Sequence, residues 1–387
     1  MRARDANGAL QYVRRVRVLI APDDFTGTLS APAAAAAIAR GWAQVKPADD
    51  LRLVPLSDGG PGFVAAMAMA RGVLLREAAV TGPRGEAVRA RWCLDGTTAY
   101  LEVAECCGLA LIPGELRDPS HTTSAGVGDC MLAAIGEGAT RLVIGLGGSG
   151  VNDGGAGMLE ALGAVAYAVD GTALVGALQA GPTAFADIAA IDVSPAMSAV
   201  DGIEIVVASD VDNPLLGPRG ATVGFGPQKG ATEAQLGELE AALAHLSALL
   251  GRRRDGKDAA VALGAGAAGG IGFALLHLGG RRVAGIDTVL AEAGFDPNVD
   301  LVLTGEGALD WQTLRGKVIT GVCRAAATTG APVVALCGVV RLTPRECSEL
   351  GLAGAYALVD LAGEERALGE AATVLSELAA RVARTWG

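Results

Sequence analysis

The chain has 387 residues, of which 51% are hydrophobic, and its length suggests roughly two domains. Its formal net charge of −11 argues against a nucleic-acid partner or an anionic membrane surface. No run reaches the ~18 apolar residues of a membrane span, and residues 1–15 lack the apolar core of a secretory signal. Seven cysteines without a CxxC pair indicate a reducing, cytoplasmic setting, and three histidines without ligand spacing make a histidine-built zinc site improbable.

The first part of the chain alternates strands with helices. Residues 16–22 and 51–56 are predicted to be buried strands. Between them Ser30 is a good N-cap and Pro32 fits the first turn of a helix that runs to about residue 45. A second helix is expected to end near Arg71. This βαβα order predicts a parallel sheet.

The pattern then changes. Residues 73–103 are typical of three strands, joined by a loose turn at Gly82–Gly85 and a hairpin turn at Asp95-Gly96. The elements that follow are predicted to be helices over 126–136, 233 to about 253 and 267–278, and strands over 142–144 and 203–208. This mixture predicts an α/β domain with a mixed sheet.

Clean alternation returns near the end of the chain. The pattern predicts strands over 301–303, 332–336 and 356–359, and helices over 319–329 and from about residue 365. Because the two ends look alike, we expect residues 1–75 and 290–387 to form one doubly wound, parallel-sheet domain of the flavodoxin or Rossmann type. Residues 76–289 would form a second α/β domain inserted into it.

Acidic residues follow five of the predicted strands, beside Gly, Asn or Pro. They are Asp23 and Asp24, Asp58, Asp153 in the glycine turn Gly147–Gly155, Asp210 and Asp212, and Glu306. Ligands of open α/β sheets bind beyond the carboxyl ends of the strands. Each acid taken singly is more often part of a turn or a helix cap. The five acidic strand ends together favour a site.

The glycine turn Gly147–Gly155 is the centre of this pattern. It joins a buried strand to a helix, so its backbone N–H groups can approach an anion closely and the helix N-terminus adds partial positive charge. Ser149 and Asn152 could assist, and the carboxylates could hold Mg²⁺. Of four lysines, Lys229 and Lys317 lie in glycine-flanked loops suited to phosphate charge. This combination is what phosphoryl transfer needs, although no GxxxxGK[ST] motif is present.

A dinucleotide site is the main alternative from the residues alone. Gly145, Gly147 and Gly150 match GxGxxG after a strand, and Asp170 lies where a ribose-binding acid is expected. Against it, residues 151–155 separate the glycines from the helix. A catalytic triad is not supported, since Ser149 lacks the GxSxG spacing.

Taken together, the motifs resemble the bacterial two-domain glycerate kinase family. The matching strings run in order from residue 16 to the C-terminus: IAPDDFTGTLSA, VPLSDGGPG, LEVAECCGL, GLGGSGVNDGGAGMLEALG, DVDNPLLGPRGA, FGPQKGA, GAGAAGGIG, DLVLTGEGALDWQTLRGK and VVALCG. The resemblance implies ATP-dependent, Mg²⁺-assisted phosphorylation of D-glycerate, mostly to 2-phosphoglycerate, in a cleft between two domains. The expected partner is therefore a small hydroxy acid, with no nucleic acid or membrane, bound by a monomer or homodimer.

Three motifs depart from the family pattern. Thr26 stands where the family usually has Lys, Pro61 and Phe63 where it has Glu and Thr, and Ala308 where it has Arg. The losses of a cation at Thr26 and at Ala308 would weaken a pocket for a carboxylate or a phosphate. A second alternative is therefore a catalytically weakened member that binds a sugar acid.

The site hypothesis assigns roles to individual residues. The catalytic candidates are Asp153, Asp210, Asp212 and Lys317, and the metal candidates are Asp210 and Asp212. Substrate or nucleotide binding is assigned to Gly147, Gly148, Ser149, Asn152, Lys229, Asp23, Asp58, Glu306 and Asp310.

Overall fold

The computed structural model describes residues 2–4, 10–12, 15–25, 27–283, 285–311, 313 and 318–386. It confirms the α/β fold class. The chain divides into two compact units: residues 1–57 with 290–387 form the first, and residues 58–289 form the second.

The strands of the described residues are given in chain order. They are β1 Arg2–Arg4, β2 Leu10–Tyr12, β3 Arg17–Ile20, β4 Asp50–Leu53, β5 Leu75–Thr81, β6 Ala87–Asp95, β7 Thr98–Glu102, β8 Arg141–Gly145, β9 Val165–Tyr167, β10 Ala190–Asp192, β11 Glu204–Ala208, β12 Arg281–Val283, β13 Leu301–Thr304, β14 Ala308–Leu309, β15 Val333–Cys337, β16 Val339–Val340 and β17 Gly354–Ala357.

The α-helices follow the same order. They are α1 Ala31–Val45, α2 Phe63–Arg71, α3 Val103–Cys107, α4 Ala125–Gly136, α5 Ala156–Ala161, α6 Ser194–Ala199, α7 Ala221–Phe225, α8 Glu233–Leu250, α9 Ile271–His277, α10 Gly285–Glu292, α11 Val318–Ala327, α12 Pro344–Glu349, α13 Leu358–Ala362, α14 Glu364–Gly369 and α15 Ala371–Ala383. Within the described residues, no helix is both long enough and apolar enough to cross a membrane.

The first unit is built on a five-stranded parallel sheet. Its strand order is β4-β3-β13-β15-β17. When the strands of this sheet are numbered in chain order, the order is 2-1-3-4-5, the flavodoxin-like order, in which ligands bind at the point where the strand order reverses. That point lies at the carboxyl ends of β3 and β13.

Two helices of the first unit pack closely on one face of its sheet. The Cβ of any side chain at Gly41 in α1 would lie 1.9 Å from the carbonyl oxygen of Ser376 in α15. Glycine therefore allows the two helices to approach backbone to backbone. Ser30 caps α1 as expected, since its hydroxyl accepts a hydrogen bond from the Ala33 N–H at 3.3 Å.

The second unit contains the mixed sheet that the sequence predicts. Its order is β12-β11-β8-β7-β6-β5, in which the pairs from β12 to β7 are parallel and β6 pairs antiparallel with both β7 and β5. The three strands expected between residues 73 and 103 are β5, β6 and β7. The four parallel strands direct their carboxyl ends to one edge of the sheet.

The boundary of the first unit falls at residue 57, whereas the sequence expectation places it at residue 75. Helix α2 accounts for the difference. The Phe63 ring packs edge-on against Tyr100 of β7, with 6.2 Å between ring centroids. The helix therefore belongs to the core of the second unit.

Two predicted helices are interrupted. The segment expected as one helix over 267–278 is a 3-10 turn, Ala267–Gly270, followed by α9, because Ala268 and Gly269 have left-handed φ values of 55° and 69°. A side chain at Gly269 would place its Cβ 1.9 Å from the Val151 carbonyl oxygen. The segment bends because it lies directly against the glycine turn. The final helix is likewise divided, into α14 and α15.

Candidate functional site

Three parallel strands of the second unit end at the same level. Glu102 of β7 and Ala208 of β11 both lie opposite Gly145, the last residue of β8. The segments that leave these strands therefore emerge side by side. They carry the glycine turn and the acidic segment from Asp210 to Asp212, which are far apart in the sequence.

The glycine turn is exposed only near its start, since Gly147 is half-buried, Gly148 is exposed and the rest of the turn is buried. Gly148 is exposed and left-handed, with a φ of 73°. The N–H groups of Gly147 and Gly150 donate to the carbonyl oxygens of Gly59 and Cys107 at 2.9 and 2.8 Å. For the N–H groups of Gly148 and Ser149, the described part of the chain supplies no hydrogen-bond acceptor. These two groups are positioned to bind an anion.

Lys229 lies beneath this turn instead of in solvent. It is 2% exposed, and its Nζ donates to Ser149 Oγ at 3.1 Å and to the Val151 carbonyl oxygen at 2.6 Å. Burial lowers the pKa of this ammonium to about 8, against the opposing influence of Cys107 and Asp153. The predicted phosphate-binding lysine thus touches the inner side of the turn and fixes its shape.

Asp153 is fully buried and binds four protein donors. Its Oδ2 accepts from the Ser124 N–H at 2.8 Å, from Ser124 Oγ at 2.7 Å and from the Gly157 N–H at 3.1 Å, and its Oδ1 accepts from the Gly155 N–H at 3.1 Å. Burial raises the pKa of this carboxyl, although the hydrogen bonds oppose the shift. The carboxylate holds the start of α5, which differs from the metal or substrate contact expected from the sequence.

Asn152 is also enclosed. Its Nδ2 donates to Thr222 Oγ1 at 3.0 Å, and both side chains are fully buried. Its Oδ1 is buried without a hydrogen-bond partner among the described residues. Asn152 therefore links the turn to α7 from within.

The acids after β11 face solvent. Asp210 and Asp212 are both exposed. Asp212 forms an ion pair with Arg282, with 2.5 Å between its Oδ1 and Nη2. Strand β11 ends at Ala208, which pairs with Gly145 at the end of β8. Asp210 comes two residues later, so it lies at the same edge of the sheet as the glycine turn.

In the first unit, two predicted acidic segments meet at the reversal point of the sheet. The Asp23 N–H donates to the Gly305 carbonyl oxygen at 2.8 Å, which joins the loop after β3 to the loop after β13. Glu306 in the second loop is buried, and its Oε1 accepts a short hydrogen bond from Thr313 Oγ1. Asp310 is half-buried, and its backbone N–H donates to the same hydroxyl at 3.3 Å.

The remaining sequence candidates fall into two groups. Asp58 is exposed, and its Oδ1 accepts from the Gly60 N–H at 3.0 Å, which is the hydrogen bond of a local turn. Lys317 and Thr26 lie outside the described residues.

The glycines of the dinucleotide pattern pack against other segments of the protein. A Cβ at Gly145 would lie 2.7 Å from the Gly59 oxygen, one at Gly147 would lie 2.3 Å from Gly60 Cα, and one at Gly150 would lie 2.8 Å from Ile112 Cδ1. Asp170 is exposed and accepts from the Thr172 N–H in a local turn. Because α5 begins only at Ala156, this arrangement argues against the dinucleotide alternative.

Sequence reasoning missed three buried polar residues that shape the site. Ser124 binds Asp153, Thr222 binds Asn152, and Glu102 accepts from the Gly62 and Val64 N–H groups at 2.9 and 3.1 Å. Of the three, only Glu102 could have been found from the sequence, because it is a charged residue directly after the apolar residues of a predicted strand. Serine and threonine are too common for any such signal.

Comparison with known proteins agrees with these observations. The glycerate kinase family model matches residues 18–387. A glycerate kinase of Bacillus subtilis is 42% identical over 350 residues, covering 89% of this chain and 90% of that protein. A glycerate 2-kinase of Escherichia coli K12 is 41% identical over 331 residues, with 84% and 85% covered.

A solved structure extends the likeness to the fold. A crystal structure assigned as glycerate kinase 2 from Salmonella typhimurium LT2 has a TM-score of 0.83 at 36% identity, and the match covers 96% of this chain and 98% of that one. The resemblance carried by the motifs is confirmed, and the chain belongs to the glycerate kinase family of phosphotransferases.

Proposed function

We propose that this protein transfers the γ-phosphoryl group of ATP to D-glycerate, forming 2-phosphoglycerate, or to a closely related small hydroxy acid. Family membership and the names of its relatives support glycerate as the acceptor. The single observation that carries the phosphate-binding part is the pair of N–H groups at Gly148 and Ser149, at a parallel strand end and above a buried lysine. We assign the reaction to the cytoplasm, in keeping with seven free cysteines.

The glycine turn has the properties needed to stabilise a transferring phosphoryl group. Preorganised N–H donors in a partly enclosed site require no reorganisation as negative charge builds up. Gly148 and Ser149 supply the donors in this proposal. Lys229 fixes the Ser149 hydroxyl and the Val151 carbonyl from inside, and its charge lies behind the donors. Asp153 is a positioning residue here, because its oxygens already bind four protein donors.

Asp210 and Asp212 have suitable chemistry for Mg²⁺. Nucleotide-bound Mg²⁺ commonly takes one or two protein carboxylates and keeps its other positions for phosphate oxygens and water. Both acids are exposed at the edge that carries the glycine turn, which fits this requirement. Mg²⁺ held there would neutralise phosphate charge. Asp212 also forms an ion pair with Arg282.

The hydroxy acid needs acceptors for its hydroxyl groups and a base for the attacking one. We assign hydroxyl binding to Asp23, Glu306 and Asp310, which lie at the flavodoxin-type reversal point. Asp210 is our candidate to accept the proton of the attacking hydroxyl. Lys317 is proposed as a second cation for the transferred phosphoryl group, on sequence grounds alone.

The decisive experiment is a coupled assay of ADP release with D-glycerate, L-glycerate, glycolate, lactate and tartronate, with and without Mg²⁺. We expect turnover with D-glycerate and loss of turnover in excess EDTA. Phosphorus NMR of the product would distinguish 2-phosphoglycerate from 3-phosphoglycerate.

Two other outcomes would replace the proposal. Binding of a sugar acid without ATP turnover would identify a catalytically weakened member, as the departures at Thr26, Pro61 and Ala308 suggest. Tight binding of NADH with no effect of ATP would favour an oxidoreductase.

A further inference from the structure

Glu102 carries a buried carboxylate to which the proposed function assigns no part. It is the last residue of β7 and is 3% exposed. Its Oε1 accepts from the Gly62 N–H at 2.9 Å and its Oε2 from the Val64 N–H at 3.1 Å. Gly62 is the N-cap residue of α2 and Val64 lies in its first turn, where helix N–H groups have no partner within the helix.

The local sequence cannot provide this cap. The N-cap residue of α2 is Gly62, which has a left-handed φ of 94° and no side chain to accept a hydrogen bond. A carboxylate near a helix N-terminus is also favoured by the helix dipole. Glu102 therefore supplies the missing cap from a neighbouring strand.

The loop that precedes α2 lies directly against the glycine turn. We call residues 58–62 the α2 loop. Its Gly59 oxygen accepts from the Gly147 N–H at 2.9 Å. Pro61 packs on the exposed residue of the turn, since a Cβ at Gly148 would lie 2.6 Å from Pro61 Cγ. Glu102 holds one end of this loop, and the glycine turn contacts its middle.

We propose that Glu102 is a positioning residue that holds the α2 loop against Gly147 and Gly148 and thereby sets the geometry of the phosphate-binding N–H groups. This inference rests on the proposed function for its effect on catalysis. The part of the inference that concerns how the α2 loop is held against the glycine turn does not depend on the proposed function.

The charge of Glu102 makes this arrangement sensitive to pH. Burial raises the pKa of the carboxyl to about 7, while the two N–H donors and Arg91 oppose the shift and Glu105 adds to it. The ionised group accepts both hydrogen bonds, whereas a protonated group has one oxygen that donates. As the pH falls through about 7, one bond to the α2 loop is therefore weakened.

The effect on stability has the opposite sign. Because the pKa of Glu102 is raised on folding, the folded protein binds more protons than the unfolded chain between pH 4.5 and about 7. The free energy of unfolding therefore falls as the pH rises through this interval. The folded protein therefore has a lower free energy of unfolding when Glu102 is ionised, although the ionised carboxylate is the form that positions the turn.

The test compares Glu102→Gln with Glu77→Gln, an exposed glutamate on β5 that pairs with Arg89. The amide retains one acceptor, removes the other and cannot ionise. We expect the KM for ATP to rise at least fivefold at pH 8 with a smaller change in kcat. We expect the KM of the wild-type enzyme for ATP to increase as the pH falls below 7, and this increase should be absent from Glu102→Gln and retained in Glu77→Gln.

Hydrogen exchange separates this inference from the proposed function. Peptides covering residues 58–64 and 146–150 should exchange faster in Glu102→Gln and remain unchanged in Glu77→Gln, whatever the substrate. If both peptides exchange in Glu102→Gln at the wild-type rate, the inference is overturned. It is also overturned if active Glu102→Gln has the wild-type KM for ATP and the wild-type dependence of that KM on pH. If Glu102→Gln fails to fold, the same two measurements are made on Glu102→Asp, which keeps the charge but shortens the side chain. Faster exchange and a raised KM are expected, and wild-type values of both overturn the inference.

Discussion

The buried ammonium of Lys229 is the main electrostatic feature of the glycine turn. A buried charge is stable only when polar groups surround it, and Ser149 Oγ and the Val151 carbonyl oxygen provide two acceptors here. The side chain thus serves two purposes. It ties two residues of the turn together, and it leaves positive charge behind the N–H groups of Gly148 and Ser149.

Replacing this lysine should therefore impair ATP use. In Lys229→Met we expect kcat/KM for ATP to fall at least about tenfold, a loss of ~1.4 kcal/mol of transition-state stabilisation. The matched control is Lys257→Met, because the Lys257 side chain is 79% exposed. Equal kcat/KM values in the two folded variants would show that the charge of Lys229 does not reach the phosphate.

The same lysine predicts a pH effect on stability. Its pKa is about 8 in the folded protein and 10.5 as a free side chain, so between these values the unfolded chain binds more protons. The free energy of unfolding should therefore gain a contribution from Lys229 as the pH rises from 8 to 10.5. Urea unfolding at three pH values in this range should reveal the contribution in the wild type and its loss in Lys229→Met. Parallel pH dependences would contradict the assignment.

Asp210 offers the clearest test of the acidic segment. Asp210→Asn removes a charge at an exposed position, so we expect little change in the thermal midpoint. Turnover should fall by about two to four powers of ten if the carboxylate acts on the hydroxyl or the metal. Asp212→Asn is the matched variant, and it also removes the ion pair with Arg282. Wild-type turnover in Asp210→Asn would remove it from the site.

At the scale of elements, glycines hold the site together by allowing backbone segments to touch. The α2 loop meets the glycine turn at Gly147, and the 3-10 turn Ala267–Gly270 meets it at Val151 and Gly154, where the Gly154 N–H donates to the Gly269 oxygen at 3.0 Å. Many of the glycines in the matching strings thus serve packing between loops. Only the exposed start of the turn is left for a ligand.

Gly147→Ala tests this packing directly. Its φ lies outside the left-handed region, so any effect is steric, and the new Cβ would lie 2.3 Å from Gly60 Cα. Because backbone atoms cannot rotate away, we expect a loss of about 1–3 kcal/mol in the free energy of unfolding and a raised KM for ATP. Gly136→Ala is the control, since nothing lies within 4 Å of its Cβ. It should be neutral or stabilising by up to about 1 kcal/mol.

At the scale of the whole molecule, the two units differ in how the chain builds them. The second unit is one continuous segment with a six-stranded sheet and its own buried core, which includes Trp92, Phe185 and Phe273. The first unit needs both chain ends, because β3 pairs with β4 on one side and with β13 on the other.

This difference predicts that residues 58–289 fold without the rest of the chain. An isolated fragment should show a cooperative thermal transition and the far-UV circular dichroism of an α/β protein. Residues 1–57 alone should show neither, because they lack three of the five strands of their sheet. A fragment 58–289 that binds ANS strongly and melts without cooperativity would contradict the prediction.

The sequence by itself determined the fold class, most of the secondary structure and the family. Strand periodicity, the Ser30 cap and the Asp95-Gly96 turn are local signals, and local signals are sufficient to place elements. The order of motifs along the chain was sufficient for the family. The role of Asp58 as a turn residue was also accessible, because an Asp-Gly-Gly sequence favours a turn.

Only the tertiary structure decided what each polar residue of the turn does. Ser149, Asn152, Asp153 and Lys229 look like ligand-binding residues in the sequence, yet each bonds to the protein interior. Their partners are distant in sequence, so no spacing could reveal them. The boundary at residue 57 and the cap from Glu102 have the same cause, since both depend on where α2 packs. Which side chains are buried, and which groups they bond to, is decided only in the folded chain. A sequence pattern can predict such a bond only when the two bonded residues are close together in the sequence.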